Sequence, residues 1–350
     1  MFTVAAVPGV AGVRVWHVMS RGWDPWTERP LPEVVHVAYP PTVALYAELR
    51  DRLAPATLVR RDEAERAVRE FLADEVTRVP DSGLRQNGVP MNQSYPRHID
   101  FESVPNFRDL GGYRARDGRA VAWRRLFRSA ELQSMSRPDI ARFKEDIRPR
   151  AVIDLRAPRE VTRQREINLL GEVGARYHNV PFSPASPDYV KQETKLFRDA
   201  TDLGELYLYR IRRPEFGKRL VDSLELIADR NNHPLVFHCS VGKDRTGVLA
   251  AMLLTAAGVI DEDIVHDYTL SAPFMPELRD RWRNDPTAPP AVKEVPDSHW
   301  EASAESMARF LALLRREYGS AAGYLEAEGA DNSLPQRLEE AVLVPRASGR

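Results

Sequence analysis

The sequence predicts an α/β fold: a central, mostly parallel sheet flanked by helices, with a helix-rich C-terminal half and a small N-terminal α+β extension. Three observations predict it. Short apolar runs at 151–155, 175–180 and 235–237 alternate with segments of helical period, as in strand–helix–strand units that bury a sheet on both faces. The last run leads through a short glycine-containing loop into an alanine- and leucine-rich helical stretch at 246–257. The first 80 residues differ in character, with three of the six tryptophans (Trp16, Trp23, Trp26).

In chain order, 13–19 and 34–39 read as strands around a Trp/Pro-rich turn region. Helical patterns follow at 43–53 and at 62–79, where Ala64, Ala67, Val68, Phe71, Leu72 and Val76 mark one face. Residues 1–80 are therefore expected to form an accessory region whose tryptophans build either a small core or a docking surface. The polar, turn-rich stretch 81–97 reads as a linker; it contains Met91, an alternative translation start. Residues 98–350 form the predicted catalytic domain. Its helices are expected at 159–170, 203–212, 215–228, 246–257, 261–270, 302–318 and 334–342. Residues 273–296 carry six prolines and read as irregular; the stretch 273–300 either folds over the site as a lid or stays an irregular connection.

Composition narrows the function classes. A 43% hydrophobic content, 29% charged residues and a net charge of −1 fit a soluble globular chain and exclude the basic excess of a general nucleic-acid binder. No run reaches the length of a membrane span, and the N-terminal residues lack a basic leader. A single cysteine cannot form an internal disulfide, so the expected location is cytoplasmic.

That cysteine carries the chemistry. The run His238-Cys239-Ser240-Val241-Gly242-Lys243-Asp244-Arg245-Thr246-Gly247 sets a thiol six positions before an arginine, between a strand and a helix N-terminus. Such a loop surrounds one tetrahedral anion with backbone N–H groups and a guanidinium. Cys239 is the expected nucleophile, since a helix N-terminus and a nearby arginine favour the thiolate. Arg245 can hold two phosphate oxygens in its planar fork. The backbone of Ser240, Val241, Gly242, Lys243, Asp244 and Arg245 would supply the other donors. Gly242 lets the loop curl, Thr246 is placed to bond the cysteine sulfur, and His238 buttresses the loop. No second Cys/His cluster at metal spacing occurs, so no metal or other cofactor is expected.

The loop resembles the signature of the tyrosine-protein phosphatase superfamily, and more closely its atypical bacterial and fungal group with Gly-Lys-Asp-Arg-Thr-Gly. Asn106-Phe107-Arg108-Asp109-Leu110-Gly111-Gly112, Leu126-Phe127-Arg128-Ser129-Ala130, Ile153-Asp154-Leu155-Arg156, the stretch 302–307 and Tyr318-Gly319 extend that resemblance over about residues 98–345. It implies a cysteine-phosphatase fold and phosphate-monoester hydrolysis through phosphocysteine, foremost on protein phosphotyrosine. A broad dual-specificity or phosphoinositide phosphatase is the alternative, and a phosphate-binding pseudophosphatase the minor one. The implied partner is a phosphorylated protein or a phosphoinositide.

Members of the superfamily commonly take their general acid from a Trp-Pro-Asp loop, which this chain lacks. Asp244, inside the phosphate loop, is the first candidate. Asp154, at a strand end, is the second, weighed evenly against a structural role beside Arg156. Asp109 reads as a turn residue. Lys243 is expected at the mouth of the loop, as a second cation that bears on substrate choice or as charge balance for Asp244.

Overall fold

The computed structural model describes residues 97–161, 169–182, 192, 195–285 and 295–344, together with the backbone of short strands in the first 90 residues. The chain divides into two compact units, Met1–Asn92 and Gln93–Arg350.

In the first unit, Arg14–Met19 pairs antiparallel with Val34–Tyr39, Trp23–Asp24 with Arg29–Pro30, and Arg85–Gln86 with Val89–Pro90. The first pair coincides with the two runs read as strands. The helices expected at 43–53 and 62–79 lie outside the described residues.

The second unit is built on a five-stranded sheet: β1 (Arg108–Asp109), β2 (Leu126–Ser129), β3 (Ala151–Asp154), β4 (Arg176–Asn179) and β5 (Leu235–His238), in the order β4-β3-β5-β2-β1. All pairs are parallel except the β1–β2 edge. Successive strand residues face opposite sides of a sheet, and the core follows that rule. Leu126, Ile153, Leu235 and Phe237 enter the larger hydrophobic cluster. Phe127, Val152 and Val236 enter a smaller one on the other face, with Phe107 and Phe143. Burying each such side chain contributes about 1.5–3 kcal/mol.

The smaller cluster is covered by α1 (Arg137–Arg142) and the π-helical turn Phe143–Ile147. Ser136 caps α1 by accepting from the Asp139 N–H, and the Asp139 carboxylate accepts from the Ser136, Glu102 and Ser103 N–H groups. The larger face carries α2 (Leu203–Ile211), α3 (Pro214–Ala228), α4 (Asp244–Ala256) and α5 (Asp261–Thr269). After α6 (Met275–Asn284), which contributes to neither cluster, α7 (Ala304–Tyr318), α8 (Ala321–Ala327) and α9 (Leu334–Val342) complete that face. Asp202 and Ser303 supply the N-caps of α2 and α7. No helix among the described residues is long and apolar enough to cross a membrane.

One reading needs correction, one is met in part, and one segment gains a structure. Residues 275–284 are not irregular but form α6, because Pro276 sits in the first turn, where a missing N–H costs nothing; 286–294 lie outside the described residues. The helix expected at 159–170 opens instead on a single 3₁₀ turn, Pro158–Glu160; residues 162–168 lie outside the described residues, and 169–173 are helical, as read for 169–170. The stretch 126–129, quoted above only as a motif, is a fully buried strand.

Candidate active site

The central strand β5 ends at His238, which pairs with Asp154 of β3 on one side and Ser129 of β2 on the other. Cys239 therefore emerges, buried, at the carboxyl edge of the sheet, the usual place for a ligand in such folds. Five residues later the chain enters α4 at Asp244, so the loop 239–243 lies against a helix N-terminus. Gly242 adopts φ 71°, and a Cβ there would stand 2.5 Å from the Ser129 carbonyl oxygen. The loop can curl this tightly only with glycine.

Its carbonyls are held from behind. Asn106 Nδ2 donates to Val241 O at 2.9 Å, Arg128 Nη2 to Gly242 O at 2.7 Å, and the Gly247 N–H to Lys243 O at 2.7 Å. In a trans peptide the C=O and the following N–H point in opposite directions. Anchoring these three carbonyls outward thus turns the N–H groups of Gly242, Lys243 and Asp244 toward the inside of the loop. None of the N–H groups of residues 240–243 donates to another backbone carbonyl among the described residues.

The anchors belong to a buried ionic network. Asp267 of α5 accepts from Arg108 Nε at 3.0 Å, Arg128 Nη1 at 2.5 Å and the Tyr113 hydroxyl at 3.2 Å. Arg108 also donates to Asp267 O, Ser271 Oγ and the Asn106 side-chain oxygen. Burial alone would raise the Asp267 carboxyl, but the two guanidinium groups hold it far below the usual carboxylate range. Burial and the like charge of Arg128 bring Arg108 down to about 10, which leaves it charged at neutral pH. The Arg in Asn106-Phe107-Arg108 and the Arg in Leu126-Phe127-Arg128 thus meet on one aspartate behind the loop. Asp109 accepts from the Gly111 and Arg124 N–H groups, a turn residue as read from the sequence.

Arg245 is clamped by a residue that sequence reasoning missed. Its Nη1 and Nη2 donate to the two oxygens of Glu160, at 2.7 and 2.8 Å, and Nη2 also reaches Ser240 Oγ at 3.0 Å. Ser240 in turn donates to Glu160 at 2.8 Å. Burial would raise the Glu160 carboxyl; the Arg245 charge and its hydrogen bonds outweigh that and bring it to about 2. Glu160 closes a turn that also binds the Ala157 N–H.

Asp154 is fully buried, and both its oxygens are engaged: Arg156 donates from its N–H, Nε and Nη2, and Tyr177 from its hydroxyl at 3.0 Å. His238 Nε2 stands 4.0 Å away. Burial drives His238 down to about 4 against the pull of Asp154, so the ring is neutral at pH 7. Its Nδ1 lies 3.3 Å from Cys239 O and can buttress the loop backbone.

Asp244 Oδ1 accepts from the Tyr207 hydroxyl at 2.6 Å and lies 3.4 Å from Lys243 Nζ. Burial would raise this carboxyl, yet Lys243, Tyr207 and Arg210 hold it below the usual range. Two expectations are corrected. Lys243 is not a cation at the loop mouth: it is 1% exposed, and its ammonium donates to the carbonyls of His299 and Glu301. Three donors on a buried point charge need acceptors, and those carbonyls are the ones within reach. Thr246 does not bond the cysteine sulfur; its Oγ1 is buried with no partner among the described residues.

A cavity of about 340 Å³ adjoins the clamp, lined by Glu131, Gln133, Ser134, Glu160, Arg281 and Trp282. The Glu131 N–H donates to Ser240 O, and Arg281 of α6 donates to Ser134 Oγ. Among the described residues no group of His, Cys, Asp and Glu is arranged to hold a metal ion.

The geometry gathers a buried thiol, a loop with anchored carbonyls and a clamped guanidinium at the carboxyl edge of a mostly parallel sheet. The chain belongs to the tyrosine phosphatase family, whose sequence model matches residues 99–344. It is 33% identical over 144 residues to a tyrosine-protein phosphatase of Nostoc commune, covering 39% of this chain and 48% of the relative, so it spans about half that protein's length. It is 28% identical over 281 residues to the triple specificity protein phosphatase PtpB of Mycobacterium tuberculosis, covering 68% of this chain and 96% of PtpB. Among solved structures, the core catalytic domain of the PP-IP phosphatase SIW14 from S. cerevisiae, in complex with citrate, matches with a TM-score of 0.32. It is 17% identical, over 49% of this chain and 78% of that one.

Proposed function

We propose that the chain hydrolyses phosphate monoesters, foremost phosphotyrosine in protein, through a phosphocysteine intermediate. The observation that carries this reading is the anchored loop, with buried Cys239 at its start and Arg245 locked in a bidentate clamp.

Cys239 Sγ attacks phosphorus, and the bond from phosphorus to the leaving oxygen breaks. Developing charge on the equatorial oxygens meets the inward N–H groups and the Arg245 fork. Asp244 gives the leaving oxygen its proton. In the free chain its carboxyl is held low; the arriving phosphate dianion raises it, because a like charge nearby disfavours ionisation. In the second step Asp244 takes a proton from water, which attacks the phosphocysteine and releases phosphate and the thiolate. Asp154 is assigned a structural role, since Arg156 and Tyr177 occupy its oxygens.

The adjoining cavity, about 340 Å³, offers room for groups beside the phosphoryl. The triple specificity in the name of PtpB favours the second reading, a broad dual-specificity or phosphoinositide phosphatase. The burial of Lys243 argues against its serving a second phosphate on the ligand. The test is phosphate release from 4-nitrophenyl phosphate, phosphotyrosine and phosphoserine/threonine peptides, and soluble inositol phosphates. Turnover absent in the native chain, or retained in Cys239→Ser, would overturn the phosphocysteine reading. A Lys243→Ala change that lowers only inositol phosphate turnover would favour the second.

A further inference from the structure

Two buried tyrosines with no place in the steps above converge on the acid. Tyr207 of α2 donates to Asp244 Oδ1 at 2.6 Å, and its oxygen lies 2.7 Å from the hydroxyl of Tyr268 of α5. Both rings are fully buried, edge-on to each other at 6.2 Å, and Tyr207 also packs edge-on against Phe310 at 6.1 Å. Gly247 in the first turns of α4 makes room for this pair: a Cβ there would stand 3.0 Å from the Tyr268 ring. Burial holds both phenols well above their ordinary range. They remain protonated donors across any working pH.

The two oxygens of Asp244 are therefore unequal. Oδ1 is taken by Tyr207 and faced by Lys243. Among the described residues no hydrogen bond reaches Oδ2, and the side chain is 15% exposed. We propose that Tyr207, backed by Tyr268, is a positioning residue for Asp244: it pins Oδ1 so that Oδ2 is presented to the leaving oxygen. This deepens the assignment of Asp244 as the acid and rests on it.

A chain of hydroxyls suits the task. Accepting from Tyr268 polarises the Tyr207 O–H and strengthens its bond to the carboxylate. The rigid rings fix a direction that a lysine on a flexible stem cannot. The charged and titratable groups facing Asp244 are Lys243 from the loop, Tyr207 and Arg210 from α2, Tyr268 from α5 and His299 from the turn Asp297–Trp300. Among the described residues, Tyr207 and Lys243 are the ones whose polar atoms reach its carboxylate.

The test is Tyr207→Phe in the full chain, assayed on 4-nitrophenyl phosphate, whose leaving group needs little help, and on phenyl phosphate, whose leaving group needs a proton. The expected result is a kcat on phenyl phosphate lowered roughly tenfold, a clearly smaller loss on the nitrophenyl ester, and KM little changed. Losing a donor to the carboxylate also moves the basic limb of the kcat–pH profile up, by about one unit. Equal losses on both esters with an unmoved limb would overturn the proposal.

If Tyr207→Phe fails to fold, Tyr268→Phe replaces it. That change leaves Tyr207 on Asp244 and must shift the same readouts in the same direction, by less. Asp244→Asn separates the two levels. Equal losses on both esters in that variant sink the acid assignment itself. A leaving-group-dependent loss in Asp244→Asn but not in Tyr207→Phe sinks only the positioning role. Adding Tyr207→Phe to Asp244→Asn must produce no further leaving-group dependence.

Discussion

Arg128→Met probes the cradle most directly. Arg128 is buried, pairs with Asp267 at 2.5 Å and donates to Gly242 O at 2.7 Å. Methionine keeps much of the volume and removes every donor. Asp267 is not orphaned, because Arg108 and Tyr113 remain on it. The loss is one half of a buried ionic contact and one charge-assisted hydrogen bond, about 3–5 kcal/mol of folding stability. A domain of this size has about 5–15 kcal/mol to draw on, so the variant should fold in the cold with a lowered Tm.

The chemical consequence is separate. With Gly242 O released, the 242–243 peptide can turn and withdraw the Lys243 N–H from the cradle. Removing one donor to developing negative charge costs about 10²- to 10³-fold in kcat. Because the defect lies in the cradle and not in proton delivery, the loss should be the same for 4-nitrophenyl and phenyl phosphate. Vanadate inhibition should weaken in parallel. The assay is steady-state kinetics on both esters at a temperature where circular dichroism shows the variant folded. A folded Arg128→Met chain with native kcat and native vanadate affinity would refute the argument that carbonyl anchoring orients the donors.

Glu160→Gln should raise KM for phosphate esters and lower the Tm of the free chain by an amount equivalent to about 1–3 kcal/mol, since Arg245 loses its charged partner. Saturating phosphate should recover much of that Tm, and an equal Tm deficit with and without phosphate would count against the clamp. Gly242→Ala places a Cβ 2.5 Å from Ser129 O at φ 71°; turnover should fall by at least about tenfold, and native kinetics would show the curl to be dispensable. Stability should fall as pH drops from about 6.5 to 4. His238 has a folded value of about 4, below its unfolded value, so over that window the unfolded chain binds the proton and the folded chain does not. Its share is on the order of 3 kcal/mol. His98, His178, His233 and His299, all lowered by burial, act with the same sign. Urea titrations at pH 7 and pH 4.5 should show the drop, and His238→Asn should show less of it; an undiminished drop in that variant would remove His238 from the account.

The strand, loop and helix around Cys239 were legible because each leaves a local trace: an apolar run, a glycine and an arginine at fixed spacing, then a helical pattern. Strands 151–155, 175–180 and 235–237 and most helices of the second unit were legible for the same reason, with ends one or two residues off. The clamp was not. Glu160 lies eighty-five residues before Arg245 in a short turn after Pro158, where no periodicity flags it. The two meet because β3 and β5 are sheet neighbours, a fact of topology. Tyr207, Tyr268 and Asp267 sit on helical faces whose pattern reads as ordinary core; only the hydroxyl and carboxyl directions reveal them. Lys243 shows the converse error. Its place in the loop was read correctly, but side-chain direction depends on where acceptors lie, and the carbonyls of His299 and Glu301 are some fifty-six and fifty-eight residues away.

On the proposed mechanism, these contacts explain how one short run can carry nucleophile, cradle and acid together. Cys239 and Asp244 are five residues apart, and the loop between them wraps around a single point. Their separation is thus set by the chain itself and needs no separate mobile segment to bring the acid in. What the run cannot do is orient itself. A curled loop with inward N–H groups leaves its carbonyls facing away from solvent, and each needs a donor; Asn106 and Arg128 provide them from the β1 and β2 side of the sheet. An arginine at the helix start has many rotamers, and Glu160 selects one from the end of β3. A carboxylate at the same helix start has two oxygens, and Tyr207 takes one from the neighbouring helix α2. Substitutions at these distant positions should therefore copy, one by one, the separate defects of the loop: cradle from Arg128, phosphate grip from Glu160, proton delivery from Tyr207.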